Sequence, residues 1–456
     1  MPSQVTYGYH GVTWFPGVRE EECESRSDVA YVAQSLRRLR FPCTTVVMPS
    51  QVAYGYHGVA WFPRVREEEC GSRSDVAHVT RSIRPLQYVA MSPSDPDLLS
   101  TWQFDLPSEL VASRPAVRRD DSRLLVVDRE QGSIQHAHIR ELPAFLDPGD
   151  LLVFNNTQVL PARLFGFRVA TRGRWEGLFV EQSDPGEWII LCDTRGRLQP
   201  GETIAVVRAY DQQREAAEPV RTPSDTLLLT LKQKLDDGSW QAAVADPRTP
   251  LEILTEYGSL PLPPYMGRKL ANADDQIRYQ TTYASQPGAI AAPTAGLHFS
   301  PELLQTCRDR GLHSAEVTLH VGIGTFRPVT TERLSEHCMH DEWCRLPSDA
   351  CHAIAAAKST GHRVLAVGTT TVRTLESAYA ACGRTEPWEG RTQLFIRPGY
   401  QFQVIDRLLT NFHLPGSTLL VLVAALAGYE LTMEAYRKAI EARYRFYSYG
   451  DAMLIR

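Results

Sequence analysis

Apolar positions along this chain recur in two rhythms, and the change between them marks its parts. Between residues 160 and 245, the runs ARLFGFRVA, WEGLFVEQ, EWIILCD, TIAVVRAY, DTLLLTL and WQAAVA follow at close spacing, divided by Gly, Pro or Asp. Short strand-like runs bounded by turn residues predict a small β-barrel or sandwich. Upstream, LLVVD (124–128) and LLVF (151–154) read as buried strands, with Asp147-Pro148-Gly149 as a turn and Asn155-Asn156-Thr157 as a polar loop. From about residue 250 the period lengthens to that of helices. LEILTEYG stops on a Gly, and SPELLQTCRDRG (300–311) opens on a Ser-Pro cap and first-turn pair. HRVLAVGTTTVRTLESAYAACG (362–383) reads as strand, polar loop and helix. The run LLVLVAALAG (419–428) is too short to span a bilayer and predicts a buried helix.

Strand–helix alternation interrupted by a block of strands predicts an α/β domain with an inserted small β-barrel domain. The α/β catalytic domain takes residues 91–159 and 246–456, and the insert takes 160–245. Residues 1–90 fall outside this plan. Residues 1–40 and 48–87 align without gaps at an offset of 47, with ten differences in forty positions. Gly17 faces Arg64, Glu24 faces Gly71 and Arg38 faces Pro85, changes that are harsh for a packed domain. The expectation is a duplicated extension, poorly ordered and without function, ahead of a working chain that starts near Met91.

Composition narrows the function classes. The chain has 456 residues, 43% hydrophobic and 22% charged, as in ordinary globular proteins. A net charge of −5 excludes a basic nucleic-acid coat, so any RNA contact must be a local patch. The positive charge is mostly Arg, which suits bidentate phosphate contacts. Arg163, Arg168, Arg172 and Arg174 in the barrel segment, with Arg195 and Arg197, form one candidate RNA patch. ARYRFYSYGDAMLI (442–455), with Arg443 and Arg445 among aromatic residues, forms another. Nine irregularly spaced Cys and no charged-then-apolar opening segment point to reduced thiols, a cytoplasmic protein and no membrane association.

Several polar, Gly-flanked loops carry groups suited to chemistry. AIAAPTAGLHF (289–299) combines small residues, which admit close backbone approach, with His298. VGTTTVRTLES places Gly368, Thr369 and Thr370 between a strand and a helix start, a setting for a carboxylate or phosphate. LHVGIGTFRPV (319–329) sets His320 and Arg327 around a Gly-x-Gly turn, HCMHDEW (337–343) adds Glu342, and TNFHLPGST (410–418) adds Asn411 and His413. Zinc on His337, Cys338, His340 and Cys344 matches no common ligand spacing, and no metal is expected. The glycine-rich loop and strand-end acid of an ordinary methyltransferase are missing.

Taken in order and spacing, NNTQVLPARL, PLPPY, RYQTTYA, AAPTAGLHF, HVGIGTFRPV, MHDEW, AVGTTTVRTLES, LFIRPGYQF, TNFHLPGSTLL and RYRFYSYGDAMLI resemble the S-adenosylmethionine:tRNA ribosyltransferase-isomerase family of queuosine biosynthesis. The resemblance covers roughly residues 102–456. It implies an α/β domain with an inserted barrel, and S-adenosylmethionine as a consumed cosubstrate. It also implies a partner tRNA carrying 7-aminomethyl-7-deazaguanine at the wobble position, taken to be bound by a monomer. The ribosyl group would be transferred and rearranged to give epoxyqueuosine, releasing adenine and methionine.

Such chemistry needs a base at the ribose C5′, acidified by the sulfonium, and a proton for the leaving adenine. His298 is the expected proton-transfer group, with Glu342 or His320 as partner. Thr294, Thr325 and Asn411 are candidate ribose or adenine contacts, and Thr369, Thr370 and Arg373 suit the methionine carboxylate. Gly296, Arg327 and His413 complete the expected binding set. A non-catalytic tRNA-binding module would instead leave His298, His320 and Glu342 apart. Two positions depart from the family pattern: Asn156, where Asp is usual, and Cys338, where Lys is usual.

Overall fold

The computed structural model describes residues 95–209, 226–322, 324 and 329–456. The duplicated segment lies outside the described residues.

The strands of the large sheet are β1 (Arg123–Asp128), β2 (Ser133–His138), β3 (Leu151–Asn155), β13 (His313–Leu319), β14 (Glu342–Leu346), β15 (Val364–Val367), β16 (Trp388–Thr392), β17 (Arg407–Asn411) and β18 (Ala452–Ile455). Their spatial order is β16-β14-β13-β3-β15-β17-β18-β1-β2. The centre is parallel: Leu151 of β3 pairs with both His313 of β13 and Val364 of β15, and β15 runs parallel to β17. Parallel strands covered on both faces must be apolar throughout, and LLVF and VLAV are. Leu151 and Val153 enter one core, and Leu152 and Phe154 enter the other.

Five helices cover this sheet. On the first face lie α4 (Ser348–Ser359), α5 (Thr369–Cys382), α6 (Thr418–Ala427) and α7 (Tyr429–Glu441). On the second lies α3 (Pro301–Asp309), whose Leu303 and Cys307 pack against Phe154 and Leu365 in one core cluster. Ser300 caps α3 by accepting from the Leu303 amide, 3.1 Å, as the Ser-Pro pair predicts. Leu420 to Ala424 of α6 are buried, and α6 meets α7 at 116°. Among the described residues, no single helix is long and apolar enough to cross a membrane.

The inserted strands are β5 (Arg163–Arg168), β6 (Arg174–Asp184), β7 (Glu187–Thr194), β8 (Thr203–Val206), β9 (Leu227–Lys234) and β10 (Trp240–Val244). They run in the order β5-β6-β7-β10-β9-β8, and β5 pairs back with β8 through Gly166 and Val206, closing a barrel. Closure removes the exposed edges that an open sheet would carry. In β9, Leu227, Leu229 and Leu231 point inward and alternate with exposed Leu228, Thr230 and Lys232. Leu254 and Tyr257 of α1 (Pro250–Tyr257), which ends at Gly258, join the same core. Of the remaining short elements, β11 (Gly258–Ser259) pairs with β5, the helix α2 (Ala273–Arg278) follows it in the chain, and β4 (Thr157–Val159) pairs with β12 (Gln286–Ala289).

The polar loop after β3 is structural. Asn155 Nδ2 donates to the Leu319 carbonyl and to Thr370 Oγ1, 3.0 and 3.1 Å, while its Oδ1 accepts from the Thr157 and Leu319 amides. One buried amide thus ties the ends of β3 and β13 to the start of α5. Asn156 donates to Glu316, 2.9 Å, and accepts from Thr318. An Asp at 156 would set a second carboxylate against Glu316, so the departure there suits its neighbour.

Candidate active site

The parallel strands β3, β13, β15 and β17 end on the same edge of the sheet, where open α/β sheets place ligands. A cleft of about 410 Å³ lies there, within the range of small-molecule sites. Besides Leu99, Gln103 and Tyr279, its lining draws on six motif-bearing stretches: Ala291–Ala295, Val321 with Gly324 and Val329, His337 to Glu342, Gly368 to Arg373, Thr410–Leu419, and Tyr447 with Ser448. Each stretch carries one of the polar motifs read from the sequence.

The start of α5 forms one part of this wall. Gly368 has φ 92°, a left-handed conformation that suits glycine. Its amide donates to the Leu409 carbonyl, 2.8 Å, and among the described residues no side chain caps the helix. The first-turn N–H groups and the positive end of the helix dipole therefore lie at the cleft beside Thr369 and Thr370. One turn on, Arg373 forms a buried ion pair with Glu342 and donates to the carbonyls of Leu394 and Thr392. Glu342 Oε1 accepts from the Gly322 amide, 2.9 Å. Both partners line the cleft, but Arg373 is already matched to a carboxylate, which differs from the free clamp expected of it.

The loop after β17 forms the facing wall. His413 Nε2 lies 2.9 Å from Thr410 Oγ1, and its amide donates to Tyr436 Oη, 3.0 Å. Burial pushes the ring down to about 3, so His413 is a neutral imidazole at neutral pH. Thr294 and Asn411 also line the cleft. Sequence reasoning missed Tyr447, Ser448 and Met339, and weighed His337 and His340 only as metal ligands. Tyr447 has φ 76° and packs its ring edge-on against Tyr265, 4.2 Å between centroids. The aromatic run 442–455 offered no way to tell this wall residue from its core neighbours Tyr444 and Phe446.

Of the three expected catalytic groups, only Glu342 faces the cleft. His298 is buried behind the wall, where its Nε2 meets Asn411 Nδ2 at 3.2 Å. His320 lies outside the lining altogether. It accepts or donates to Thr157 Oγ1 at 2.8 Å, stacks on Trp343 at 4.7 Å, and is pushed down to about 4 by burial. It stands just past the end of β13 and faces Thr157 of β4. Gly296 does not line the cleft either. A Cβ there would collide with the Tyr283 hydroxyl, so this glycine serves packing. Thr325 and Arg327 lie outside the described residues. Among the described residues no cluster of three His, Cys, Asp or Glu is placed to hold a metal.

The candidate RNA arginines divide in the same way. Arg163 pairs with Glu176, 3.1 Å, and Arg445 with Asp451, 3.0 Å. Arg168 pairs with Glu202 and donates to the carbonyls of Arg195 and Arg197. These three hold the fold together. Arg172, Arg174 and Arg443 are exposed, with Arg172 lying 4.0 Å over the Phe167 ring and Arg443 3.9 Å from Glu109.

Comparison with known proteins finds relatives for the chain beyond the duplicated segment. A sequence model of the family described as "Queuosine biosynthesis protein" matches residues 99–455. A protein of Natranaerobius thermophilus named S-adenosylmethionine:tRNA ribosyltransferase-isomerase is 44% identical over 360 residues, covering 78% of this chain and 99% of its own. A protein of Desulfitobacterium hafniense with the same name is 45% identical over 358 residues, with the same coverage. A crystal structure of S-adenosylmethionine tRNA ribosyltransferase from Thermotoga maritima is 34% identical, with a TM-score of 0.44, covering 78% of this chain and 99% of its own.

Proposed function

The chain belongs to the queuosine biosynthesis protein family, and from that premise we infer that it is an S-adenosylmethionine:tRNA ribosyltransferase-isomerase. S-Adenosylmethionine is its substrate and a tRNA is the acceptor. The finer reading is that the acceptor base is 7-aminomethyl-7-deazaguanine at the wobble position. The ribosyl group moves to the aminomethyl nitrogen and rearranges to an epoxycyclopentanediol, and adenine and methionine leave.

The observation that carries this reading is the convergence of six motif-bearing stretches on one cleft. The uncapped start of α5, with Thr369 and Thr370, suits the methionine carboxylate. Thr294 and Asn411 suit the nucleoside. Proton transfer at C5′ and to the departing adenine falls to groups that face the cleft, Glu342, His340 and the neutral His413, since His320 lies elsewhere. Arg373 holds Glu342 in place and offsets its charge in the low-dielectric wall. Exposed Arg172, Arg174 and Arg443 suit phosphate contacts with the tRNA.

The test is direct. The full chain is incubated with S-adenosylmethionine and tRNA bearing the aminomethyl-deazaguanine base, and the products are read by mass spectrometry. Adenine and epoxyqueuosine are both expected. Binding of the tRNA with neither product formed would overturn the enzymatic reading.

A further inference from the structure

Asn411 closes β17 at the cleft wall and is 2% exposed. Its Nδ2 donates to the Tyr447 carbonyl, 3.2 Å, and to His298 Nε2, 3.2 Å. A carbonyl can only accept, so the Tyr447 contact fixes which way the amide faces. The end left over is the oxygen. Asn411 Oδ1 is buried and has no partner among the described residues. A buried acceptor without a donor is destabilising, and native structures rarely retain one unless something else supplies the donor. Among the described residues, Asn411 is the one with such an orphan atom that also lines the cleft.

His298 explains why the amide does not simply rotate. With Nε2 accepting from Asn411, the ring proton belongs on the other nitrogen, and the ring also makes a hydrogen bond with the Arg119 main chain that favours a ring N–H. Burial holds the ring neutral, pushing it down to about 4 against the opposing pull of Asp451. The charged groups around it are Arg119, Arg445 and Asp451, and Arg445 is itself matched to Asp451. His298 borders a void of about 20 Å³ with Arg119, Arg278 and Tyr449, and does not line the cleft. An imidazole with Nε2 engaged by an amide, behind the wall, is poorly placed to take a proton from a ligand.

We propose that Asn411 is a substrate-binding residue whose Oδ1 accepts a hydrogen bond from an N–H or O–H donor of the S-adenosylmethionine nucleoside, and that His298 is a positioning residue acting through it. This rests on the cosubstrate reading above. The candidate donors are the adenine exocyclic amine and the ribose hydroxyls, which share this chemistry. The Tyr447 carbonyl and the neutral His298 ring together hold the polarity of one amide, and the amide sorts ligands by whether they donate.

The experiment uses the full chain and four variants: Asn411→Ala, His298→Ala, His298→Gln and the double variant His298→Ala/Asn411→Ala. Steady-state constants for S-adenosylmethionine and for tRNA are measured, with cosubstrate binding by equilibrium dialysis and melting curves alongside. Asn411→Ala is expected to lower kcat/KM for S-adenosylmethionine about 10- to 100-fold, through KM, leaving KM for tRNA unchanged. His298→Ala should lose a similar factor, and the double variant should be no worse than Asn411→Ala, because the two act as one unit. His298→Gln, which keeps an acceptor for the Asn411 amide, should recover to within a few-fold of wild type. A cosubstrate analogue with a 6-oxo group in place of the amine separates the two donors: insensitivity of Asn411→Ala to that exchange assigns the amine, and retained sensitivity assigns a hydroxyl.

Loss of turnover by 1,000-fold or more in His298→Gln, with cosubstrate binding intact, would make His298 the proton carrier and overturn the proposal. Unchanged cosubstrate binding in a folded Asn411→Ala variant would overturn it equally. Absence of adenine release by the wild-type chain would instead overturn the family activity, and the dialysis comparison would still decide the role of Asn411.

Discussion

Glu342 and Arg373 are both 94% buried or more, and they neutralise one another in the cleft wall. Removing one charge of such a pair strands the other. Glu342→Gln is therefore expected to destabilise the fold by about 3–5 kcal/mol and to cost at least about 100-fold in kcat. Urea unfolding and turnover read the two effects, and full turnover in this variant would remove Glu342 from the chemistry. Gly296 makes a contrasting case. Gly296→Ala should cost about 1–3 kcal/mol through its collision with the Tyr283 hydroxyl, and Tyr283→Phe should restore part of it. Denaturation of the single and double variants checks this, and additivity would reject the packing role.

The buried imidazoles also set a pH dependence. An ordinary His titrates near 6.5, whereas folded His298 and His413 are pushed down to about 4 and about 3. Below 6.5 the unfolded chain takes up protons that the folded chain refuses. Stability is thus fully present above about 6.5 and falls as the pH drops toward 4, by up to about 1.4 kcal/mol per pH unit for each ring. Unfolding free energies at pH 7 and pH 5 should differ by about 2 kcal/mol for each of these rings. His298→Gln should lose its share of that difference.

At the scale of elements, much was legible because the determinants are local. The strand runs of the barrel, the helix stop at Gly258, the Ser300 cap and the strand–loop–helix at 362–383 all follow from periodicity and capping within a few residues. The arginines of the barrel were not legible in that way. Arg168 and Arg172 sit four residues apart at one turn, yet Arg168 clamps Glu202 and two carbonyls while Arg172 is exposed. Pairing across 34 residues decided the difference. Replacing exposed Arg174 by Ala should weaken tRNA binding and reduce its salt slope by about one unit, with the melting temperature unchanged. Arg168→Ala should lower the melting temperature instead. Filter binding across a salt series, with thermal melts, separates the two outcomes.

For the whole molecule, the family match begins at residue 99, and the named relatives are spanned almost end to end by the rest of the chain. A chain starting at Met91 is expected to keep the turnover and melting temperature of the full chain. Loss of either in a side-by-side assay would give residues 1–90 a role.

The sequence by itself determined the alternation of elements, the barrel within the α/β chain, and the family, since local periodicity and ten ordered motifs are one-dimensional properties. It also named most of the loops that line the cleft. Only the tertiary structure decided which side chains of those loops meet. His298, His320 and His413 all sit in polar, motif-bearing stretches, yet one backs the wall, one stacks on Trp343 and one lines the cleft. The contacts that sort them join residues 113 apart at Asn411 and His298, and 163 apart at Thr157 and His320. Such contacts depend on the order of strands in the sheet and on which way each side chain points at its end. No local pattern in the chain encodes either.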